Sequence, residues 1–295
     1  MLKDIFDNTT IYKNELLKKY TYTKTGGPAD YLALPETIEE LCDCITYAKT
    51  KKIPYLVLGN ASNLIVRDQG IEGLVILTTQ LKQIHVKENR IVAQAGASLK
   101  AVCARACEYA LSGLEFACGI PGSIGGAVYM NAGAYDGQID EVFYSAMVLT
   151  EKGTIETWTK EHMDFSYRHS ILQERKAIVL EAEFQLTPGD PSKIQEKMDH
   201  LMELRRSKQP LEYPSCGSVF KRPKGHYTGA LIQQAGLQGL KWGGAQISEK
   251  HAGFIVNIDH ATGKDYEELI AYIQKVIDQK FGVHLEPEVR IIGRR

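Results

Sequence analysis

The spacing of apolar residues along the chain alternates between a helical and a strand-like period. In residues 38–51 apolar side chains recur every three or four positions, and Thr37 and Glu40 have the spacing of a capping box. The helical period returns in three later segments. We predict helices over residues 38–51, 98–110 and 192–206, and a last helix that stops at Gly282 with Leu269, Ile270, Ile273, Val276 and Ile277 on one face.

Short apolar runs between turn residues predict strands. They cover residues 31–34, 55–58, 74–77, 84–86, 90–95, 142–149, 154–157 and 177–186. Helices and strands are mixed along the chain, which indicates an α+β fold. The sequence Pro-Gly-Asp-Pro at residues 188–191 predicts a joint between two parts of the chain.

The charge balance excludes strong attraction to nucleic acid or to an anionic membrane. The chain has 35 basic and 36 acidic residues among its 295, for a net charge of −1. Residues 1–4 lack the long apolar segment of a signal peptide, and the apolar runs elsewhere have the length of strands. We therefore expect a soluble cytoplasmic protein with no nucleic acid and no membrane as partner.

The cysteines and histidines do not form a recognisable metal motif. The six cysteines include no C-x-x-C pair, and the eight histidines include no H-x-H or H-E-x-x-H. We predict no metal site, and we interpret the cysteines as reduced and mostly buried thiols.

Residues 116–135 contain no charged side chain and are rich in glycine. Pro121 and the glycines would make a poor helix, which argues against a membrane span. The spacing Gly119-x-x-Gly122-x-x-Gly125-Gly126 predicts tightly folded main chain whose N–H groups can meet an anionic ligand. An ordinary glycine-rich turn is the alternative.

A second neutral loop, residues 59–63, follows the predicted strand 55–58. Neither loop contains the phosphate-binding sequence G-x-x-x-x-G-K-[ST] or the dinucleotide motif G-x-G-x-x-G. Each alone is more often a simple turn. Two such loops in one domain nevertheless favour a large neutral ring system with a pyrophosphate, as in a flavin dinucleotide.

Several ordered motifs resemble those of the UDP-N-acetylenolpyruvoylglucosamine reductase family, in its shorter form. Coverage extends from Tyr20 to Gly293, which is nearly the whole chain. The motifs are residues 25–29 (TGGPA), 59–65 (GNASNLI), 119–126 (GIPGSIGG), 131–135 (NAGAY), 166–170 (SYRHS), 217–223 (GSVFKRP), 285–290 (LEPEVR) and the spacing Arg205-x-x-Lys208-x-Pro210.

The resemblance implies an FAD-binding domain of the vanillyl-alcohol-oxidase (PCMH) type in two lobes, followed by an α+β substrate domain. We assign residues 1–190 to the first, with the lobes meeting near residues 53–58, and residues 191–295 to the second. By motif match, the expected FAD contacts are Gly59, Asn60, Ala61, Ser62, Asn63, Leu64, Gly96, Pro121, Gly122, Ser123, Gly125, Gly126, Asn131, Ala132 and Gly133.

The resemblance also implies a two-stage reaction on small-molecule substrates. NADPH gives hydride to FAD, and the reduced flavin gives hydride to the enolpyruvyl group of a UDP-sugar in peptidoglycan precursor synthesis. The motif match makes Ser218 the proton donor, Arg168 the residue that binds the carboxylate, and Glu288 the residue that completes the site. The expected substrate contacts are Tyr167, Lys208, Arg222 and Gln233.

Each catalytic candidate also has a simpler interpretation. Ser218 could merely begin a strand, Arg168 could form a surface ion pair, and Glu288 could lie at a solvated edge. A serine hydroxyl is a weak acid and needs a polarising neighbour, for which Lys221, Arg222 and Glu288 are candidates. Glu286 and Glu288 should point the same way if the chain is extended there.

The chain departs from the family pattern at three places. Arg222 stands where many members have asparagine, the loop Gly-Asn-Ala at residues 59–61 replaces three small residues, and an inserted loop carrying a tyrosine that contacts substrate is missing. We expect Asn60 to tolerate a positive φ, so that the loop keeps its shape. Two other functions remain open: a flavin oxidase that passes electrons to oxygen, and a non-enzymatic module that binds a UDP-sugar or a dinucleotide.

Overall fold

The computed structural model describes residues 9–295, which form two compact units. Unit 1 comprises residues 9–12, Leu32–Asn60 and Leu74–Arg205, and unit 2 comprises Lys13–Tyr31, Ala61–Gly73 and Arg206–Arg295. Residues 1–4, on which the expectation about a signal peptide rests, lie outside the described part. The division into a flavin domain and a substrate domain stays a prediction, because these units are defined by packing and not by ligands.

The α-helices of residues 9–295 run from 7 to 19 residues in length. In chain order they are α1 (Ile38–Thr50), α2 (Leu99–Glu108), α3 (Ile124–Met130), α4 (Pro191–Lys208), α5 (Thr228–Gln234) and α6 (Gly263–Phe281).

The strands of the same residues are mostly short. In chain order they are β1 (Thr10–Leu16), β2 (Pro28–Leu34), β3 (Tyr55–Leu58), β4 (Leu64–Val66), β5 (Ile71–Leu77), β6 (Ile84–Lys87), β7 (Arg90–Gln94), β8 (Leu111–Ser112), β9 (Gly133–Ala134), β10 (Gly137–Gln138), β11 (Phe143–Leu149), β12 (Ile155–Thr159), β13 (Ile178–Gln185), β14 (Thr187–Pro188), β15 (Ser215–Ser218), β16 (Lys241–Trp242), β17 (Ala245–Ile247), β18 (Phe254–Asn257) and β19 (Arg290–Ile292).

The helices predicted from periodicity are confirmed, and their ends follow from capping. Thr37 Oγ1 accepts a hydrogen bond from Glu40 N (3.2 Å) at the start of α1, and Ser98 Oγ accepts one from Ala101 N (3.2 Å) at the start of α2. Helix α6 ends at Gly282, which has the left-handed φ of 65°. The eight predicted strands are also present, with ends shifted by no more than three residues.

Unit 1 is built on a five-stranded antiparallel sheet with the order β12-β11-β13-β7-β6. Strands β3 and β5, at one edge of a four-stranded sheet with the order β1-β2-β5-β3, pair in parallel from Tyr55 opposite Leu74 to Leu58 opposite Leu77. Helices α2 and α3 contact β7, and α3 also contacts β13. The core between sheet and helices includes Ile91, Val102, Val128, Val148 and Phe184.

Unit 2 is built on a four-stranded antiparallel sheet with the order β15-β18-β17-β16. Helix α6 contacts β16 and β17 through its apolar face. Of the five residues predicted for this face, four are buried and Val276 is half-buried, so the predicted orientation is confirmed. Strand β4 pairs in parallel with β19, which brings Leu64 opposite Arg290.

The glycine-rich stretch contains a short helix, contrary to our expectation of a poor helix there. Helix α3 includes Gly125 and Gly126. A Cβ on Gly125 would lie 3.1 Å from the Cβ of Ala95, so glycine lets α3 approach the segment after β7 closely. Close packing against the sheet therefore outweighs the low helix propensity of glycine.

The six cysteines are free thiols, and five of them are buried while Cys42 is half-buried. The interpretation as reduced and mostly buried thiols is confirmed. In the part of the chain that the structure describes, no helix combines the length and the apolar character needed to cross a membrane.

Candidate active site

The two glycine loops predicted to act together are in direct contact within unit 1. The main-chain N–H of Asn60 donates to Ser123 Oγ (3.3 Å), and its side-chain Nδ2 donates to the carbonyl of Pro121 (2.8 Å). A Cβ on Gly59 would lie only 2.0 Å from Ser123 Oγ, so a larger residue would force the Ser123 hydroxyl out of its place. The end of β3 and the start of α3 therefore form one surface of main chain.

Part of the main chain of the second loop is already bonded within the protein. Ile124 N donates to the carbonyl of Ala97 (2.9 Å), and Gly125 N donates to the carbonyl of Ala95 (2.8 Å). These bonds anchor the start of α3 on the segment that follows β7. A bound anion would therefore be met by other N–H groups of the loop.

Two glycines predicted as cofactor contacts have different surroundings. Gly96 donates to the carbonyl of Leu81 (2.9 Å), and a Cβ there would lie 1.7 Å from the carbonyl oxygen of Thr78, so packing alone requires glycine. A Cβ on Gly122 would make only ordinary contacts, the nearest at 3.4 Å from Leu99 Cδ1. Packing within the protein does not explain a glycine at position 122.

Asn131 holds the end of α3 to the turn that carries the predicted catalytic arginine. Asn131 is fully buried, and its backbone is in the left-handed region, with a φ of 42°. Nδ2 donates to the carbonyl of Ser166 (3.0 Å), and Oδ1 accepts from the main-chain N–H of Asp140 (3.0 Å). Both ends of the amide are thus bonded within the protein, so the side chain shapes the loop.

Arg168 lies in unit 1, on a tight turn next to the same loop. Its guanidinium donates to the carbonyl of Gly133 (3.0 Å), and its Cζ lies 5.0 Å from the ring centroid of Tyr167. Tyr167 is 51% exposed, and Arg168 has the left-handed φ of 58°. The turn therefore presents a cation and an aromatic ring close to the glycine-rich segment.

Arg205 is a half-buried cation that belongs to the motif Arg205-x-x-Lys208-x-Pro210 and has no role assigned from the sequence. Its Cδ would lie 2.7 Å from a Cβ on Gly119. Burial lowers the pKa of Arg205, and the ionisable neighbours that act on it are Tyr135 and Cys118. No carboxylate within residues 9–295 pairs with this guanidinium. A desolvated cation without a counter-ion would be stabilised by an anionic ligand.

Ser218 and Glu288 lie on neighbouring segments of unit 2. Ser218 is exposed and is the last residue of β15. The N–H of Glu288 donates to the carbonyl of Val219 (2.8 Å), and Phe220 forms a β-bridge with Pro287. The predicted proton donor and the predicted acid are therefore brought together by main-chain pairing between segments far apart in sequence.

The end of the first glycine loop joins the same arrangement in unit 2. Asn63 Nδ2 donates to the carbonyl of Glu288 (3.1 Å), and the N–H of Arg290 donates to the carbonyl of Asn63 (3.1 Å). Leu64, the next predicted FAD contact, begins β4 and pairs with β19. The side-chain amide of Asn63 thus holds the main chain of Glu288.

The positive φ of the first loop lies at Ala61, where φ is 47°, so the expected tolerance of Asn60 for such a φ is not used. Asn60 has both its N–H and its side-chain amide bonded to the second loop, so the bend falls on the next residue. Ala61 is buried and small, and Ser62 and Asn63 after it are half-buried.

Of the candidates to polarise Ser218, Lys221 is already paired. Its Nζ donates to Glu286 Oε1 (2.5 Å), and its main-chain N–H donates to the carbonyl of Glu286 (2.9 Å). The carboxylate of Glu288 lies near β15, where burial and the Glu288 charge both raise the pKa of the Cys216 thiol, to about 12. Glu288 therefore stays a candidate to act on Ser218.

The predicted substrate contacts of unit 2 make no hydrogen bonds with one another within the described residues. The guanidinium of Arg222 lies 3.9 Å from the ring centroid of Tyr227, which is 65% exposed. Lys208 and Gln233 are exposed, and their side chains have no hydrogen-bond partner within the described residues. These side chains are free to contact a ligand, but no contact among them fixes their positions.

The loop residues of unit 1 fit a bulky anionic dinucleotide. Packing at Gly122 would accept a Cβ, Gly59 lets two stretches of main chain approach, and the half-buried guanidinium of Arg205 has no carboxylate partner among residues 9–295. Main-chain N–H groups and a desolvated cation are the groups that stabilise a pyrophosphate or a negatively charged ring.

Comparison with known proteins identifies both parts of the chain. A family model described as FAD binding domain matches residues 29–159, and one described as UDP-N-acetylenolpyruvoylglucosamine reductase, C-terminal domain, matches residues 209–292. A protein of Enterococcus faecalis with that reductase name is 60% identical over 290 residues, covering 98% of this chain and 97% of its own length. One from Lactiplantibacillus plantarum is 55% identical over 296 residues, covering 99% and 98%.

Solved structures agree with these matches. The crystal structure of UDP-N-acetylenolpyruvylglucosamine reductase from Thermus caldophilus superposes with a TM-score of 0.82 at 34% identity, covering 96% of this chain and 98% of that one. A solvent-stable cholesterol oxidase has a TM-score of 0.50 at 14% identity, covering 62% of this chain and 38% of the oxidase, which is a similarity of fold alone. The chain thus has an FAD-binding domain of the vanillyl-alcohol-oxidase type and a carboxy-terminal α+β domain.

High identity over nearly the full length of both partners, together with the two matching domains, is decisive for family membership. The chain belongs to the UDP-N-acetylenolpyruvoylglucosamine reductase family and is an FAD-dependent oxidoreductase.

Proposed function

We propose that this protein reduces the enolpyruvyl ether of UDP-N-acetylglucosamine to UDP-N-acetylmuramate, with NADPH as the hydride donor and FAD as the carrier. The names of the relatives and the FAD-binding domain support this reaction. A place in peptidoglycan precursor synthesis and a cytoplasmic location, both implied by the family resemblance, are part of the proposal.

One observation carries the proposal. Glu288 is hydrogen-bonded through its N–H to Val219, which follows Ser218, and through its carbonyl to Asn63 of the first glycine loop. A proton donor, an acid and a loop with the family's flavin-binding sequence are therefore linked within unit 2. A simple turn or a solvated edge strand would not need this set of bonds.

Bound FAD would supply the hydride that adds to one alkene carbon of the enolpyruvyl group. Negative charge then develops on the other alkene carbon and on the attached carboxylate, so the site must supply a proton and a counter-charge. We assign the proton to the Ser218 hydroxyl, and we assign to Glu288, as a protonated carboxyl group, the donation of a proton to the serine oxygen as its own proton leaves. Arg168 binds the substrate carboxylate, since a planar guanidinium matches its two oxygens.

The remaining polar residues bind the substrate and hold the cofactor. We assign the diphosphate of the UDP-sugar to Lys208 and Arg222, with Gln233 and Tyr167 as further contacts. The main chain from Gly59 to Leu64 and the loop from Pro121 to Gly126 would hold FAD, together with Gly96 and the segment Asn131-Ala132-Gly133. Arg205 adds positive charge to the unit 1 part of that cradle.

Anaerobic stopped-flow spectroscopy of the bound flavin tests cofactor, donor and acceptor together. NADPH should bleach the flavin absorbance, and the UDP-enolpyruvyl sugar added afterwards should restore it. A protein that takes up no FAD would contradict the proposal.

The rival functions give different spectra in the same experiment. A flavin oxidase would be reoxidised by oxygen and not by the enolpyruvyl sugar. A binding module without redox activity would leave the absorbance unchanged when NADPH is added. Either result would replace the proposed reaction.

A further inference from the structure

Gln173 lies on a short 3₁₀ turn, Ile171–Gln173, that follows the Arg168 turn in unit 1. Its side-chain Nε2 donates to two main-chain carbonyls, that of Arg168 (2.9 Å) and that of Tyr129 (3.1 Å). One amide group therefore connects two segments about forty residues apart. No sequence pattern singled out this residue.

The main chain of Arg168 is in a conformation that needs support. Its φ of 58° is left-handed, which costs about 1–2 kcal/mol for a residue with a Cβ. A pair of main-chain bonds between Ser166 and His169 closes the turn, at 3.2 and 3.1 Å. The bond from Gln173 then fixes the direction of the Arg168 carbonyl, and with it the residue's backbone orientation.

The second acceptor of Gln173, the carbonyl of Tyr129, lies at the end of α3, the helix that starts in the second glycine loop. Tyr129 is in the last turn of α3, where carbonyl groups lack partners within the helix. Its carbonyl accepts from Gln173 and also from Ser170 Oγ (2.8 Å). Gln173 thus connects the Arg168 carbonyl to α3. Ser170 also donates to the Tyr129 carbonyl, but it makes no bond to the Arg168 carbonyl.

We propose that Gln173 is a positioning residue for Arg168. By holding the Arg168 carbonyl against the end of α3, it keeps the guanidinium, which also donates to Gly133, directed at the carboxylate of the substrate. The inference rests on the proposed function for the identity of that carboxylate. The placement of the Arg168 main chain by Gln173 does not depend on it.

The test compares Gln173→Met, which keeps the length and removes both donors, with Ser170→Ala as a matched control. Gln173→Met should raise the KM for the UDP-enolpyruvyl sugar about tenfold, because two carbonyls lose their donors and the turn relaxes. The rate of flavin reduction by NADPH and the FAD occupancy should be unchanged. Ser170→Ala should lower the thermal midpoint and leave that KM as in the wild type.

A structural readout separates this inference from the proposed function. Hydrogen exchange at the amide of His169 should be about tenfold faster in Gln173→Met, and unchanged in Ser170→Ala. Wild-type exchange and KM in Gln173→Met would overturn the inference, as would an equal effect of Ser170→Ala. If wild-type protein fails to reduce the sugar, the proposed function falls and the exchange comparison still decides the role of Gln173.

A second variant covers the case in which Gln173→Met does not fold. Gln173→Asn keeps the amide but shortens it by one methylene, so it cannot reach both carbonyls. It should show the same faster exchange and the same rise in KM. Wild-type values in Gln173→Asn would contradict the inference.

Discussion

The side-chain amide of Asn63 donates a hydrogen bond to the main-chain carbonyl of Glu288, with 3.1 Å between Nδ2 and the oxygen. The two residues are 225 positions apart. The N–H of Glu288 is bonded to Val219, next to Ser218, so both sides of the Glu288 main chain are held. Asn63, which we predict from its motif to contact the flavin, therefore also positions Glu288, the proposed catalytic acid.

We predict that Asn63→Ala slows reoxidation of the reduced flavin by the UDP-enolpyruvyl sugar about tenfold, since loss of one hydrogen bond to a partly buried carbonyl is worth about 1–2 kcal/mol. Flavin reduction by NADPH should change little. Asn60→Ala is the comparison, because its amide bonds Pro121 and not Glu288, and it should lower the affinity for FAD. Stopped-flow half-reactions and FAD titration measure both effects, and wild-type reoxidation in Asn63→Ala would contradict the prediction.

Ser218→Ala should leave flavin reduction by NADPH intact and slow reoxidation by the sugar about 10²–10⁴-fold, the range for losing a general acid. The two half-reactions are measured separately by stopped flow. Ser215→Ala, in the same strand, is the control and should behave like the wild type. Equal loss in both half-reactions would exclude a proton-donor role for Ser218.

Gly122→Val should lower the affinity for FAD while the unfolding free energy of the apoprotein changes by less than about 0.5 kcal/mol. A Cβ at position 122 would make ordinary contacts of 3.4 Å and longer, and the φ of Gly122 is not left-handed. Any loss of affinity then reports on space that the cofactor uses. FAD titration and chemical denaturation measure the two quantities.

Gly59→Ala is the control for this experiment. The added Cβ would lie 2.0 Å from Ser123 Oγ, so this hydroxyl must move and gives up its bond from Asn60 N, and stability should fall together with FAD affinity. If Gly122→Val binds FAD like the wild type, that glycine is a turn residue and not part of the cradle.

Glu115 should make stability depend on pH in the acid range. Its carboxylate is 3% exposed; burial opposes ionisation, but hydrogen bonds from Ser112 Oγ (2.6 Å) and Gly113 N (3.1 Å) and the Lys197 ammonium at 3.3 Å outweigh it. The pKa of Glu115 is therefore below its ordinary value of 4.5. Because the unfolded chain binds the proton more tightly, this stabilisation is complete above 4.5 and is lost as the pH falls through the lower folded value.

We predict that Glu115→Gln lowers the unfolding free energy at neutral pH by about 1–3 kcal/mol and that the difference from wild type shrinks as the pH falls below 4.5. Urea denaturation at a series of pH values measures this difference in unfolding free energy. Glu108→Gln is the control, since this glutamate is 62% exposed in its pair with Arg105 and should have little effect. A difference that is constant with pH would show that the Glu115 charge is not responsible.

Much of the local structure could be predicted because its causes are local. The start of α1 follows from Thr37 and Glu40, which are three positions apart, and the end of α6 follows from Gly282. The composition of the two glycine loops favoured a shared ligand, but their direct contact through Asn60 was not predicted. The position of the bend in the first loop was not predicted either, because the bonds from Asn60 to the second loop decide it.

The sequence by itself determined the family and the local elements, because motifs, periodicity and caps depend on residues close together in the chain. Only the tertiary structure decided which distant residues meet. It divided the chain into units built from separate segments, left Arg205 without a carboxylate partner among the described residues, and gave Asn63 and Gln173 carbonyl acceptors beside the proposed catalytic residues. The hydrogen bond of Asn63 joins positions 225 apart, and neither partner belongs to a periodic pattern in the sequence. The same holds for Gln173, since each of these residues alone looks like an ordinary polar residue.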